Sequence, residues 1–530
     1  MHESDRTKHE DFTKRVGYSS ITEIVCICLF PLILQCLRSL ICIHFNISSK
    51  SRIYLALVID YFVILLPTIV LLTFLSSYII TIIVGCFVVC FLWTVLPNYH
   101  RCRSFGNFHF LPTDILVAYL RSTIYMITCI MIYAIDLPVC PRRLAKSELN
   151  GLGLMDIGTG LFIVASSISG SKVIWFMNIY GKSKRFFNCA LNSVVPCLVL
   201  GILRTLFIRA SNYHQSITEY GVHWNFFYTI AIIRAISLIA TTQNPISSYL
   251  LRFSIKRQTQ LWYVVCSICL LLTEFSPILI CPKYFQPKWQ FNSTTLSYIN
   301  KNRSTSLWLA NFEGIISIFG YASIYFWGLG SSLLVRSYLS TEVNNNVNEK
   351  SSIKKSLPNI SLFNILIIGG IMIICSFSCL YALGGSEMIS RRFANSNYVL
   401  CIIFLKTTCF LFITSMIALL IHFTPFTSLN EYFSPLYLIL NDKGLLYFII
   451  SNLLTGFLNV FYINTLQFLP EITNFNVTLG IYNNLSWSSS LLQFSILLIY
   501  STLSIIIVLI GYYYDWVKFS TISVFKTHLK

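Results

Sequence analysis

Long apolar runs alternate with short polar links along almost the whole chain. A run of about 18 or more apolar residues is long enough to cross a bilayer as a helix. The pattern predicts about thirteen spans, at 21–44, 53–75, 77–97, 114–135, 152–170, 189–208, 224–243, 261–281, 309–335, 361–384, 397–424, 444–464 and 489–514. The second and third nearly touch, which demands a tight turn. The alternating segments of about ten residues that mark a transmembrane β-barrel are absent. The expected fold is an all-α polytopic membrane protein, a single bundle of about thirteen transmembrane helices. Residues 1–530 form one membrane-embedded domain, with a flexible, Asn/Ser-rich cytosolic loop at 337–360. Residues 1–19 lack the apolar region of a signal peptide, so the first run is expected to stay as a span.

Composition agrees. Of the 530 residues 55% are hydrophobic and 11% charged, against about 25% charged in soluble domains. Mean hydropathy is +0.69. The formal net charge of +18 lies mostly in short loops, where Lys and Arg set topology and meet anionic lipid. No basic run is interleaved with aromatics, so the bilayer is an expected partner and nucleic acid is not. The 18 cysteines fall mainly inside apolar runs and read as small buried hydrophobes. No zinc spacing occurs, and no metal site is expected. Loops after odd-numbered spans carry more Lys and Arg, which places them in the cytosol. The sequons at Asn292, Asn302, Asn476 and Asn484 all fall in the opposite loops, while those at Asn46 and Asn359 fall on the cytosolic side and are expected to stay unused. The N-terminus is therefore expected to be lumenal and the C-terminus cytosolic.

One lumenal stretch breaks the apolar pattern. "DLPVCPRRLAKSELNGLGLMDIG" collects Asp136, Arg142, Arg143, Lys146, Glu148 and Asp156. Pro138 and Pro141 keep its start extended. Arg142, Arg143 and Lys146 are expected to open a helical turn, with Arg143 and Lys146 on one face. Paired cations there suit a phosphodiester or a developing oxyanion. Interfacial anchoring by snorkelling side chains is the plainer reading, although a basic cluster on this side runs against the topology bias. Asp156 shares a helix face with Gly153 and Gly160, and small residues let helices approach closely. A mid-membrane carboxylate costs about 2.5–3.5 kcal/mol to insert. Asp156 is thus a functional group or the partner of an arginine.

A second lumenal loop supplies Glu219, Tyr220, His223, Trp224 and Asn225. Histidine exchanges protons near neutral pH, and Trp and Tyr belong at membrane interfaces. Asn452, Thr455 and Asn459 line one face of the twelfth span, for interhelical hydrogen bonds or for a headgroup cavity. No GxSxG or HExxH pattern appears. Intramembrane charge also suits a multi-pass transporter of a lipid or small anionic solute.

"PRRLAKSELNGLGLMDIGTG" (141–160), "ITEYGVHWNFF" (217–227) and "KGLLYFIISNLLTGFLNVFYINTL" (443–466) resemble, in order, segments of the inositol acyltransferases of glycosylphosphatidylinositol (GPI) biosynthesis. That family comprises the phosphatidylinositol-glycan class W enzymes and the fungal GPI-anchored wall transfer proteins. The resemblance implies an endoplasmic-reticulum enzyme that moves a fatty acyl group, usually palmitoyl, from acyl-CoA to the inositol 2-hydroxyl of glucosaminyl-phosphatidylinositol. Acyl-CoA is a co-substrate, and no cofactor is bound permanently. The resemblance assigns Asp136 and Lys146 as the catalytic pair, general base and oxyanion stabiliser. Arg142 and Arg143 would hold the acceptor's phosphodiester. Glu148, Glu219, Tyr220, Trp224, Asn225 and Asn452 are further substrate-binding candidates, and His223 and Asp156 the next candidates for proton transfer. The chain departs from the family pattern at Tyr213 to Ile217, where His214, Gln215 and Ser216 replace a usual Gln-Glu-His, and at Leu144, where Phe is usual.

Overall fold

The computed structural model describes residues 19–47, 52–95, 113–147, 149–180, 184–211, 219–242, 253–280, 293–339, 362–423, 433–460, 475–476, 481–482 and 486–514. Glu148, residues 340–360 of the polar loop, and the sequons at Asn292, Asn359 and Asn484 lie outside the described residues. The first helices are α1 (Ile21–His44), α2 (Ile53–Asp60), α3 (Leu66–Leu72), α4 (Ile79–Val95), α5 (Thr113–Ala134) and α6 (Leu154–Tyr180). Then come α7 (Lys184–Ser211), α8 (Phe226–Thr242), α9 (Ile255–Ile280), the short α10 (Ser293–Lys301) and α11 (Leu307–Ala310), and α12 (Phe312–Leu339). The last are α13 (Leu362–Ala382), α14 (Ser396–Phe423), α15 (Pro435–Asp442), α16 (Gly444–Val460) and α17 (Trp487–Tyr513). A two-residue antiparallel ladder pairs Phe475–Asn476 with Ile481–Tyr482.

Every apolar run predicted from the sequence carries helix. In hydrocarbon each backbone N–H and C=O must find its partner within its own segment, which only a helix or a closed barrel allows. Among the described residues, eight helical stretches are long and apolar enough to cross a membrane by length and composition. The helices at Val194–Phe207, Phe226–Ile239, Leu366–Ala382 and Gly444–Asn459 are apolar but shorter. The outer face is apolar too: Ile80, Val84, Val88 and Leu92 form an exposed row at i, i+4 spacing along α4. The inner face is built mainly by α12 against α9 and α6, and by α5 against α6, α15 and α16.

Two departures from regular helix have identifiable causes. Between α2 and α3 the chain makes a π-helical turn, Tyr61–Leu65, with Leu66 N–H bonding Tyr61 O. Pro67 follows at once, and its missing donor prevents a regular α ladder through this turn. The link from α3 to α4 is as tight as the pattern required, closed by a 3-10 turn at Ser76–Tyr78.

Away from the charged loops, one fully buried ion pair ties three helices together. Arg38 Nε on α1 donates to Asp60 Oδ1 at the end of α2, 2.6 Å away, with both side chains at 0% exposure. Asp60 Oδ2 accepts from Ser434 Oγ and Leu436 N, capping the start of α15. Removing one member leaves the other charged in a dry interior, which costs about 3–5 kcal/mol, whereas an apolar pair of similar volume does not. Asp60→Ala is therefore expected to destabilise the protein by about that amount. Arg38→Met with Asp60→Leu is expected to recover most of it. Unfolding of the three variants in detergent measures both effects.

Candidate active site

The described parts of the links that follow even-numbered runs meet at one end of the bundle. Ser19 N–H bonds Leu152 O, and Ser19 Oγ donates to Arg143 O. Gly151 N–H bonds Ile389 O, and Ser390 Oγ donates to Leu149 O. Val222 N–H bonds Ala310 O, and Gly314 N–H bonds Tyr220 O. Val139 N–H donates to Gln493 Oε1 at the start of α17. Both charged stretches singled out in the sequence are therefore neighbours.

At their junction four side chains of alternating charge form a line. Lys146 Nζ contacts Glu219 Oε1 at 3.0 Å. Glu219 Oε1 lies 3.7 Å from Arg391 Nη2, and Arg391 Nε contacts Asp156 Oδ1 at 2.9 Å. Arg391 also reaches Tyr220 Oη at 3.4 Å, with its guanidinium 5.8 Å from the centre of that ring. The line runs from solvent to dry interior: the Lys146 side chain is 43% exposed and the Asp156 side chain 0%. Burial alone would raise the pKa of Glu219, but Lys146 and Arg391 outweigh it and hold the carboxyl at about 2.

Asp156 does more than neutralise Arg391. Its Oδ2 accepts from Ser147 N at 2.9 Å and from Gly153 N at 3.0 Å. One carboxylate oxygen thus closes the segment that begins just after Lys146. The closure needs a glycine, since a Cβ at Gly153 would lie 1.8 Å from Ala145 O. Asp156 is indeed turned into the bundle in the first turn of α6, and the arginine it meets is Arg391.

Asp136 lies just beyond α5, half-buried, and its Oδ2 accepts from Asn459 Nδ2 at 3.3 Å. The expected helical turn through Lys146 is not formed. A 3-10 turn covers only Arg142–Leu144, and Ala145 is extended at ψ 175°. The clamp of Asp156 on Ser147 N and Gly153 N holds the chain away from helix there, so Arg143 and Lys146 do not share a helical face. Both arginines are buried and reach protein acceptors. Arg142 Nη1 donates to Ile135 O, folding the segment back toward Asp136. Arg143 bonds Glu23 Oε1 at 2.9 Å and Ser76 O at 3.2 Å.

In the second loop, Tyr220 is buried beside Arg391, whereas His223 is exposed and its backbone N–H donates to Asn311 Oδ1. Trp224 Nε1 donates to Thr229 Oγ1, and its indole occupies the space left by Gly314. Asn225 is structural in its contacts: Oδ1 accepts from Phe227 N and Tyr228 N at the start of α8, and Nδ2 donates to Gly201 O on α7. The three polar residues of α16 diverge. Thr455 bonds Tyr500 on α17, Asn459 bonds Asp136, and Asn452 is exposed and bonds back to Phe448 O. Among the described residues no group of His, Cys, Asp and Glu could hold a metal ion.

Arg391 and Arg392 escaped the sequence reading. Arg392 contacts Glu313 Oε1 at 2.6 Å, and Arg303 contacts the same carboxylate. The signal that flagged Arg142 and Arg143 is present here as well: "SRRFANSN" places paired arginines just before a span, on the side that carries less basic charge.

Beside this end an apolar crevice opens between α1, α5, α6 and α14, with an empty volume of about 700 Å³ including its mouth. Leu154 and Met155 line one end, next to Asp156, and Ile168 lines the other. The rise between Leu154 and Ile168 is about 21 Å along α6.

Comparison with known proteins places this arrangement. The profile of the GWT1 family matches residues 5–482. The chain belongs to the GWT1 family. It is 30% identical to GPI-anchored wall transfer protein 1 of Candida glabrata over 67% of this chain and 69% of that protein. It is 29% identical to the Candida albicans protein of the same name, over 80% of this chain and 86% of the other. It is also 27% identical to the glucosaminyl-phosphatidylinositol-acyltransferase PIGW of Bos taurus, over 78% and 77% of the two chains. The GWT1 match takes in both charged loops, Arg391 and all of α16.

A carboxylate whose pKa is depressed by folding stabilises the fold above its unfolded value, here near 4.5, and loses that contribution as pH falls toward 2. The difference in Tm between the wild type and Glu219→Gln is therefore expected to be full above pH 4.5 and to shrink between pH 4.5 and 2. Thermal unfolding of both proteins across that range checks it. A difference independent of pH contradicts the role given to Glu219.

Proposed function

We propose that this chain is an O-acyltransferase of GPI-anchor biosynthesis in the endoplasmic reticulum membrane. It moves a fatty acyl group, palmitoyl by preference, from acyl-CoA to the inositol 2-hydroxyl of glucosaminyl-phosphatidylinositol. The observation that carries this reading is the contact of Lys146 with Glu219. It joins, across 73 positions of sequence, the two loops that resemble the inositol acyltransferases. The relatives named for this acceptor support the same assignment.

In the proposed reaction Asp136 takes the proton of the inositol hydroxyl as its oxygen attacks the thioester carbonyl. A C–O bond forms, the C–S bond breaks, and the proton passes on to the leaving thiolate. Lys146 stabilises the oxyanion of the tetrahedral intermediate. It is the most exposed member of the charge line and the one able to turn from Glu219 to a substrate. Asp156, satisfied by three donors, fixes the loop rather than exchanging a proton. The crevice between α1, α5, α6 and α14 takes the acyl chain. Its lining is almost wholly apolar, and its length exceeds the ~15 Å of one bilayer leaflet.

The site-bearing end faces the lumen in this reading, and all thirteen runs cross the membrane. The sequon at Asn302 lies at that end, close to the Arg303–Glu313 contact, whereas Asn46 lies beyond the opposite end of α1. Feeding labelled acyl-CoA and glucosaminyl-phosphatidylinositol to microsomes that express the chain tests the proposal. Wild type is expected to form acylated product, with Asp136→Ala and Lys146→Ala each lower by about 100-fold or more. Full transfer by either variant contradicts the assignment of the pair, and no transfer by the wild type contradicts the function.

A further inference from the structure

Lys406 stands apart from the charges at the site-bearing end. It lies on α14, and the rise from Ser396 to Lys406 is about 15 Å, half of a ~30 Å hydrocarbon core. Gly320 on α12 packs against Ala394, and Ser331, the hydroxyl that Lys406 meets, lies about 16 Å further along that helix. Both helices thus place the ammonium near the bilayer midplane. Nζ donates to Ser331 Oγ at 2.5 Å and sits 4.4 Å from the centre of the Trp327 ring. Among the described residues no carboxylate reaches it. A lysine without a counter-ion at this depth is costly, and the fold keeps it. The same residue is the sole charged one lining the apolar crevice, together with Leu120, Ile168 and Cys409 at the end away from Asp156.

We infer that Lys406 is the floor of the acyl-chain crevice and sets the longest chain the enzyme accepts. The inference rests on the assignment of the crevice to the acyl donor. Between Leu154 and Lys406 a saturated chain meets an almost wholly apolar lining. One more methylene must push hydrocarbon against an amine already held by Ser331 and the indole of Trp327. That strips the amine of its partners and offers none in return. A wall of this kind separates chains that differ by one methylene by about tenfold or more.

The test is acyl transfer by the purified enzyme from a graded series of saturated acyl-CoA donors. Wild type is expected to show a drop of about tenfold or more past one limiting length. Lys406→Met keeps the side-chain volume and removes the amine, and it is expected to move that drop to longer donors. Lys406→Arg, with a longer charged side chain, moves it to shorter donors and serves where the methionine variant fails to fold. Leu161→Trp, halfway along the crevice, also moves it to shorter donors. An unchanged chain-length profile in a folded Lys406 variant overturns the inference, while a shift in Leu161→Trp keeps the crevice as the acyl site. If Leu161→Trp leaves the profile unchanged as well, the crevice assignment fails together with the inference.

Discussion

The contact of Asp156 with Arg391 is the interaction on which the rest of the site depends. It places two opposite charges in a dry interior, at 0% and 4% side-chain exposure. Desolvation makes such a pair a poor source of stability, so its position must be explained by what it arranges. Asp156 takes three donors, and two of them are the backbone amides of Ser147 and Gly153. The segment bearing Lys146 is thereby pinned to the first turn of α6. Arg391 faces the other way, toward Glu219 and Tyr220, and so brings the second loop against the first. One buried pair couples three loops that are far apart in sequence.

The remaining contacts at this end place the loops on the bundle. Arg143 spans from the 3-10 turn to Glu23 at the start of α1 and to the tight turn before α4. Arg142 folds the chain back to Ile135, next to Asp136, and Asn459 holds Asp136 from α16. Within the four-residue line, exposure is greatest where it emerges at Lys146. Behind it the apolar crevice begins at Leu154 and runs down to Lys406. Polar chemistry at the rim and a hydrocarbon slot beneath suit an enzyme whose acceptor has a charged headgroup and whose donor carries a fatty chain.

The helices were legible in the sequence because hydrocarbon leaves the backbone no other way to pair. Their ends were less so. The run expected at 152–170 continues as helix to Tyr180, since Ser169 and Ser171 satisfy their hydroxyls on preceding carbonyls and do not break the ladder. The π turn before Pro67 carries no signature in hydropathy. At the site, residue types were legible and partners were not. Asp156 stood out as a mid-membrane carboxylate, yet its arginine lies 235 positions away. No periodicity or spacing reports a contact of that kind. The helical turn expected through Lys146 failed for another reason: local propensity was overridden by the Asp156 carboxylate, nine positions along the chain, accepting from Ser147 N. Asn225, promising as a polar residue in a charged loop, is occupied in capping α8.

If Asp156 and Arg391 serve positioning and not stability, the two properties separate on paired replacement. The decisive measurement is acyl transfer and thermal unfolding of the double variant Asp156→Leu with Arg391→Leu. The account predicts a folded bundle with a Tm below that of the wild type only by the cost of two amides left without an acceptor, because an apolar pair replaces the buried ion pair itself at little cost. It also predicts loss of most acyl transfer, because the amides of Ser147 and Gly153 lose their acceptor and Lys146 its fixed loop. A folded double variant with wild-type transfer would contradict it.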